Sequence, residues 1–354
     1  MLKLEFKPYI LEFKFSAQTS RGSMKKRKIW FIRISNDLGE SGIGEVAPID
    51  RLSPEDPEEI PGKLEVLSKE LMKLEQPKSE TEAFELVSRI IPKEFPSIRF
   101  GLEVGLLDLI NGGRKNIFVK DLNSISIPIN GLVWMGKVDF MKKQIKEKLS
   151  EGFKCIKLKV GALDFETELE IIRDLRNVSD ELIIRLDANG AFQTSKVLEQ
   201  LKALSKYNIH SIEQPILPMQ PEAMELICKK SEIPIALDEE LIHVFNLENR
   251  LSLLQELKPQ FVVLKPSLHG GFNAIREWID LAEMHGIGWW ITSYLESNIG
   301  LNAIAQFTGR FTSETFHGLG TGHLYYNNIQ SPVIVRKGNL GYADSKVWDD
   351  IVFD

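Results

Sequence analysis

Five short apolar runs in the middle of the chain each close on a charged residue. They are CIKLKV, carrying Lys157 and Lys159; LIIRLD, ending on Asp187; IHSIE, ending on Glu213; IPIALD, ending on Asp238; and FVVLK, ending on Lys265. The steps between them are near-regular, from 159 to 187, 213, 238 and 265. A parallel barrel of about 250 residues spends roughly 30 on each strand–helix unit, and its chemistry gathers at the carboxyl ends of the strands. The spacing therefore predicts a ring of charge around one barrel mouth.

Amphipathic segments such as DFETELEIIRDLRNV and FNAIREWIDLAEMHG separate the runs, and IPINGLV, GWWITS and a short TFHGLG at 315–320 extend the series to eight strand candidates. Strict alternation of this kind fits a barrel better than an open sheet. The start of the chain reads differently. Residues 2–15 and 28–35 alternate apolar with polar, and GIGEVAP follows turn glycines, which predicts an antiparallel meander. From Pro54 to Asn111 the apolar spacing turns helical, so helices should pack on that meander. The tail, PVIVRKGNLGYADS, alternates again and is expected to return to the first domain. The expected fold is α/β: residues 1–120 form an α+β capping domain, 121–325 a (β/α)7β TIM-like barrel, and 326–354 a segment completing the cap.

Between the first two strands lies SAQTSRGSMKKRK, polar and poor in apolar anchors, which predicts a mobile loop. It reads as a solvated hairpin tip or as a lid offering Arg21 to an anionic substrate. The net charge of −6 leaves no general basic surface for nucleic acid. No run approaches the roughly 18 uncharged apolar residues of a membrane span, and no secretory h-region opens the chain. A cytoplasmic enzyme of small molecules is expected, with no nucleic acid or membrane partner. The two cysteines, Cys155 and Cys228, suggest neither a disulfide framework nor a thiolate metal site.

Side chains two apart on a strand share a face, so Lys157 and Lys159 should point together into the barrel. Their repulsion would lower the pKa of one or both and let a neutral amine take a proton. An isolated Lys-x-Lys is ordinarily solvated surface, and one strand-end acid is ordinarily a helix cap. Three acids in succession, Asp187, Glu213 and Asp238, would repel strongly at low dielectric unless a cation sat between them. All-oxygen ligands suit a hard divalent ion, Mg²⁺ with Mn²⁺ as a possible substitute. Arg185 shares the inward face and reads as a buried counter-charge, while Asn189 and Glu239 are placed to orient ligands. Lys265 stands alone across the barrel, able to carry a second proton or to support a bound ring.

KLKVG, RLDANGAF, IEQPI, ALDEE and LKPSLHGG, in this order, resemble the enolase superfamily in its muconate-lactonising-enzyme-like subgroup. That resemblance implies Lys159 as base with Lys157 beside it, Asp187, Glu213 and Asp238 as Mg²⁺ ligands, and Lys265 on the opposite face. Within the subgroup, TSRGSMKKRK, PINGLVWMG, TSYLESNIGLNAIAQ and HGLGTGHLYYNN are similar to the o-succinylbenzoate synthase family. The implied activity is the elimination of water from a cyclohexadiene carboxylate, with Arg21, Ser293, Glu296 and Gly320 as candidate substrate contacts. N-acylamino acid racemases and dipeptide epimerases share the same lysine pair, although HGLGTG lacks the Asp-x-Asp that would hold a dipeptide ammonium. A catalytically silent metal-binding barrel is the rival from another class.

Overall fold

The computed structural model describes residues 1–354 except 20–21, 119–120, 312–314, 344 and 354, and the side chains of 18 and 19. The amino-terminal alternation becomes an antiparallel sheet of β1 (Lys3–Thr19), β2 (Gly22–Ser35) and β3 (Ser41–Val46), in that order. Pairing of β1 with β2 runs from Lys3 opposite Ser35 to Thr19 opposite Gly22. The stretch expected as a mobile loop is thus mostly strand, with Lys25 and Lys26 exposed and Lys28 half-buried on a long hairpin. What orders it is pairing across the hairpin together with buried Ala17 and Arg27, not a local apolar run. Arg21 lies outside the described residues.

The middle of β2 is buried on both faces. Trp30, Ile32 and Ile34 join the main core beneath α1 (Ile60–Leu71), α2 (Glu80–Ile90) and α3 (Pro96–Ile110). Ile29 and Phe31 face a second cluster with Leu11, Phe13, Trp134 and Tyr325. Helix α3 lies backbone to backbone on β3 because both carry glycine where they cross. A Cβ at Gly44 would stand 2.0 Å from the Gly101 carbonyl oxygen.

Next come β4 (Ile127–Pro128), β5 (Gly131–Val133), α4 (Val138–Ser150), β6 (Cys155–Lys159), α5 (Phe165–Arg176), β7 (Ile183–Asp187) and α6 (Val197–Leu204). They are followed by β8 (Ser211–Glu213), α7 (Pro221–Lys230), β9 (Ile235–Leu237), α8 (Leu247–Leu257) and β10 (Phe261–Leu264). The series ends with α9 (Pro266–His269), α10 (Gly271–Met284), β11 (Gly288–Ile291) and α11 (Asn298–Thr308). Strands β5 to β11 form one parallel sheet in sequence order, each joined to the next by a helical crossover. The segment expected as an eighth strand makes two isolated parallel bridges, His317 to Ile129 and Gly318 to Thr292. It therefore touches both edges of the sheet without a regular strand of its own.

IPINGLV, read as one strand, divides at Ile129–Asn130 into β4 and β5. The division follows from the tail: β12 (Val333–Arg336) and β13 (Asn339–Tyr342) form a hairpin that adds to β4 in the order β12-β13-β4. The alternating part of the tail thus pairs with β4 and not with the first sheet. Other parts of the tail do reach that sheet. The Tyr326 N–H donates to the Glu12 carbonyl at 2.9 Å, and the Arg33 guanidinium lies 4.7 Å from the Phe353 ring centroid. Among the described residues, no helix is long and apolar enough to cross a membrane.

Candidate active site

Sheet register brings the strand-end charges together. Lys159 lies beside Asp187 and Asp187 beside Glu213, while Asp238 and Lys265 directly follow β9 and β10. Alternation along β6 sends Lys157 and Lys159 to one face, and Ile156 and Leu158 join the core behind it. Both lysines are 8% exposed, Asp187 and Glu213 2%, and Asp238 not at all.

At that depth the charges must neutralise one another. Lys157 Nζ lies 3.0 Å from Asp187 Oδ2 and 2.5 Å from Glu213 Oε2. Lys159 Nζ lies 3.1 Å from Asp187 Oδ2 and donates to Asn189 Oδ1 at 2.6 Å. Lys265 donates to Asp238. Asn189 is itself placed by donating Nδ2 to Glu239 Oε1 at 3.1 Å and its backbone N–H to Asp187 Oδ1 at 3.1 Å.

Burial alone would push the Lys157 ammonium down, yet Asp187, Glu213 and Asp238 more than offset it and hold its pKa above the ordinary value. The expected lowering by lysine–lysine repulsion is overturned at Lys157 by those three acids. Lys265 is raised in the same way, Asp238, Glu213 and Glu239 outweighing burial. Asp187 is buried too, but Lys157 and Lys159 keep it well below the usual carboxylate range. Glu213 goes the other way, pushed up to about 8 by burial and by Asp187.

Two carboxylate oxygens, Glu213 Oε1 and Asp238 Oδ1, are buried and accept no hydrogen bond. Unfilled acceptors of this hardness on adjacent strands are what a divalent cation such as Mg²⁺ binds. As they stand, no three His, Cys, Asp or Glu side chains among the described residues are grouped to enclose an ion, because lysines are the counter-charges here.

These groups open onto a cavity of about 670 Å³. Lys157, Lys159, Asp187, Glu213 and Lys265 line its charged side, and Leu132, Trp134 and residues 292–295 its walls. Met24 and Arg27 of β2 and the loop after β3, residues 48–52, face it from the first sheet. Amines from β6 and from the end of β10 border one space, as removal and return of a proton beside a carboxylate would require.

Residues 140–345 match the family model described as enolase C-terminal domain-like. The chain belongs to this enolase family. It is 42% identical to the o-succinylbenzoate synthase of Desulfotalea psychrophila, over 97% of this chain and 99% of that one. The crystal structure of MenC from the same organism superposes with a TM-score of 0.87 at 39% identity, covering 96% of this chain and 99% of the other. A dipeptide epimerase from Cytophaga hutchinsonii, complexed with Mg and the dipeptide D-Ala-L-Val, superposes with a TM-score of 0.83 at 22% identity, covering 99% and 97%.

In this enolase-family chain, Lys157, Lys159, Lys265, Asp187, Glu213, Asn189, Glu239, Ser293 and Gly320 all line the one cavity, and Asp238 lies just beneath, paired with Lys265. Two residues are placed otherwise than expected. Arg185 does not pair with the acids; its guanidinium stacks 3.9 Å from the Trp290 ring centroid and donates to the Phe316 carbonyl. A wide aromatic face and a main-chain acceptor hold it, although its buried Nε has no hydrogen-bond partner. Glu296 is fully buried and does not line the cavity. It accepts from the Tyr294 N–H at 2.7 Å and from the Ser267 hydroxyl, so it fastens loops.

Trp134, Arg27 and Tyr294 are among the cavity residues that escaped the sequence reading. Lys159 Nζ lies 5.7 Å from the Trp134 ring centroid. Trp134 directly follows β5, so the strand-end rule applied to PINGLVWMG would have found it. Arg27 and Tyr294 carry no such local signal, because their place depends on how the first sheet meets the loops of the second.

Proposed function

We propose that the chain eliminates water from 2-succinyl-6-hydroxy-2,4-cyclohexadiene-1-carboxylate to give o-succinylbenzoate, a step of menaquinone biosynthesis. The observation that carries this reading is one cavity bordered by two buried lysines, a half-buried third and three buried acids, in a chain 42% identical to an o-succinylbenzoate synthase along nearly its whole length. In this reading the His317 and Gly318 bridges close the sheet into a (β/α)7β barrel, capped by residues 1–120.

Asp187, Glu213 and Asp238 would hold Mg²⁺, whose charge, when bound, favours the substrate carboxylate and the negative charge that develops on it. Lys159 removes the proton next to that carboxylate. The same ammonium then protonates the departing hydroxyl on the same face, and the ring becomes aromatic. Asn189, bonded to Lys159 and fixed by Glu239, keeps the amine aimed. Lys157 stays charged, because its neighbours hold it above the ordinary lysine value, and acts as a fixed cation. Lys265 supports the developing charge from across the cavity.

A second reading, N-acylamino acid racemisation, is favoured by one feature, amines on strands that lie apart in the sheet yet line one space. Ultraviolet monitoring of the diene beside a panel of N-acylamino acids and dipeptides decides between them. Fast loss of the diene absorbance is expected; turnover of the panel alone would reverse the assignment.

A further inference from the structure

Tyr294 is where the amino-terminal sheet meets the cavity machinery. The residue is 4% exposed and packs with Ile242 beyond β9, with Leu268 of α9, and with Ile49 and Leu52 of the loop after β3. Its hydroxyl lies 3.3 Å from Ser53 Oγ. Two cations approach its ring: Lys265 Nζ at 5.9 Å from the centroid and the Arg27 guanidinium at 5.1 Å. Arg27 is 3% exposed, and its Nη groups donate to the carbonyls of Tyr294 and Ala47. One side chain of β2 thus holds both the end of β3 and the loop that carries the tyrosine. A second route joins the same groups. Glu296 accepts from the Tyr294 N–H and from Ser267, two residues beyond Lys265.

We propose that Tyr294 and Arg27 are positioning residues for Lys265. The ring offers the ammonium a directional face, where Asp238 offers a carboxylate that the proposed reaction also assigns to a cation. Arg27 keeps that face in place through two main-chain carbonyls, a forked pattern that lysine cannot reproduce. Seating of the first sheet therefore sets where Lys265 stands. The inference rests on the role given to Lys265 above and extends it to residues that do not touch the reacting atoms.

Two measurements on the full-length enzyme test it. In steady-state turnover of the diene, Tyr294→Leu should lower kcat by about tenfold with KM changed less than about twofold. Tyr294→Phe, which keeps the ring, should recover most of the loss. Arg27→Met should resemble Tyr294→Leu, with Arg27→Lys between. The second readout needs no turnover. In protein labelled with ¹³C-lysine, the Lys265 ε-methylene signal, recognised by its loss in Lys265→Arg, should be shifted upfield by the ring. The shift should persist in Tyr294→Phe and vanish in Tyr294→Leu. A wild-type enzyme that shows the shift but leaves the diene untouched would sink the functional reading and keep the positioning. A Tyr294→Leu protein that melts normally and keeps both wild-type kcat and the shifted signal would overturn the positioning. Should Tyr294→Leu not fold, Arg27→Met decides by the same two readouts.

Discussion

The charges at the mouth of the parallel sheet and the acids beneath the amino-terminal sheet are buried to the same depth, but different partners hold them. At the mouth, Asp187, Glu213 and Asp238 each meet a lysine from another strand. Under the first sheet the partners are backbone amides and, at Glu45, the Ser297 hydroxyl. Glu45 accepts from the N–H groups of Ser297 and Gly300 where α11 begins, Glu103 from Phe272 where α10 begins, and Asp108 from Ile43 and Lys115. The amides supply partial charge only, so burial wins and raises Glu45 to about 7 and Glu103 to about 8. Lysines supply whole charges, and Asp187 moves down instead, while Glu213, which also has Asp187 beside it, is still raised to about 8. An amide at a helix start cannot leave without unfolding that turn, whereas an ammonium on a four-carbon stem can swing toward another anion. Glu45 and Glu103 join the two halves of the molecule; the lysine-held set is available to a substrate.

The contrast is broken most directly by exchanging the kind of damage each set suffers. Lys159→Ala should lower kcat by about 10²–10⁴-fold while leaving the melting temperature nearly unchanged. Glu103→Ala should do the reverse, lowering stability by about 1–3 kcal/mol as the Phe272 amide loses its acceptor. A kinetic defect in the second variant as deep as in the first would erase the distinction.

Asp238→Asn and Glu213→Gln sharpen it next, because each oxygen left without a hydrogen bond is assigned to a metal. Titration calorimetry with Mg²⁺ should show lost or much weaker binding in both variants, without unfolding. Wild-type affinity in both would remove the metal assignment.

A smaller effect separates proton transfer from fixed charge at the mouth. Lys265→Arg keeps the cation but cannot shuttle a proton near neutral pH. It should retain measurable aromatisation and lose any racemase side activity, so the ratio of the two activities is the quantity to follow. Aromatisation destroyed as fully as by Lys159→Ala would make a two-base mechanism the better account.

The smallest expected effect is on pH dependence. Because Glu103 is raised from 4.5 to about 8 by burial, the folded protein binds that proton more tightly than the unfolded chain. Its contribution to stability is complete at low pH and is lost as pH rises through that window. Urea midpoints should therefore fall between about pH 4.5 and pH 8, and Glu103→Gln should flatten the fall. An unchanged slope in the variant would place the proton elsewhere.

Much of the mouth was legible in the chain. Strand period and helix length are local properties, so the steps from Lys157 and Lys159 to Asp187, Glu213, Asp238 and Lys265 placed six charges on one ring before any contact was known. The hairpin was misread because residues 16–28 have few apolar anchors, and only the pairing partners of the described ones show them to be strand. Arg185 was misassigned for a related reason: Trp290, which accepts it, lies on a strand over a hundred residues away.

The sequence by itself determined the order of charges and the parallel sheet that displays them, because both follow from repeats of backbone geometry along the chain. Which lysine meets which acid, and that Arg27 of the first sheet reaches the ring against which Lys265 lies, was decided by tertiary structure alone. Those choices depend on distances between elements that meet only when the sheets pack together, and at such burial each charge takes whatever partner packing brings within reach.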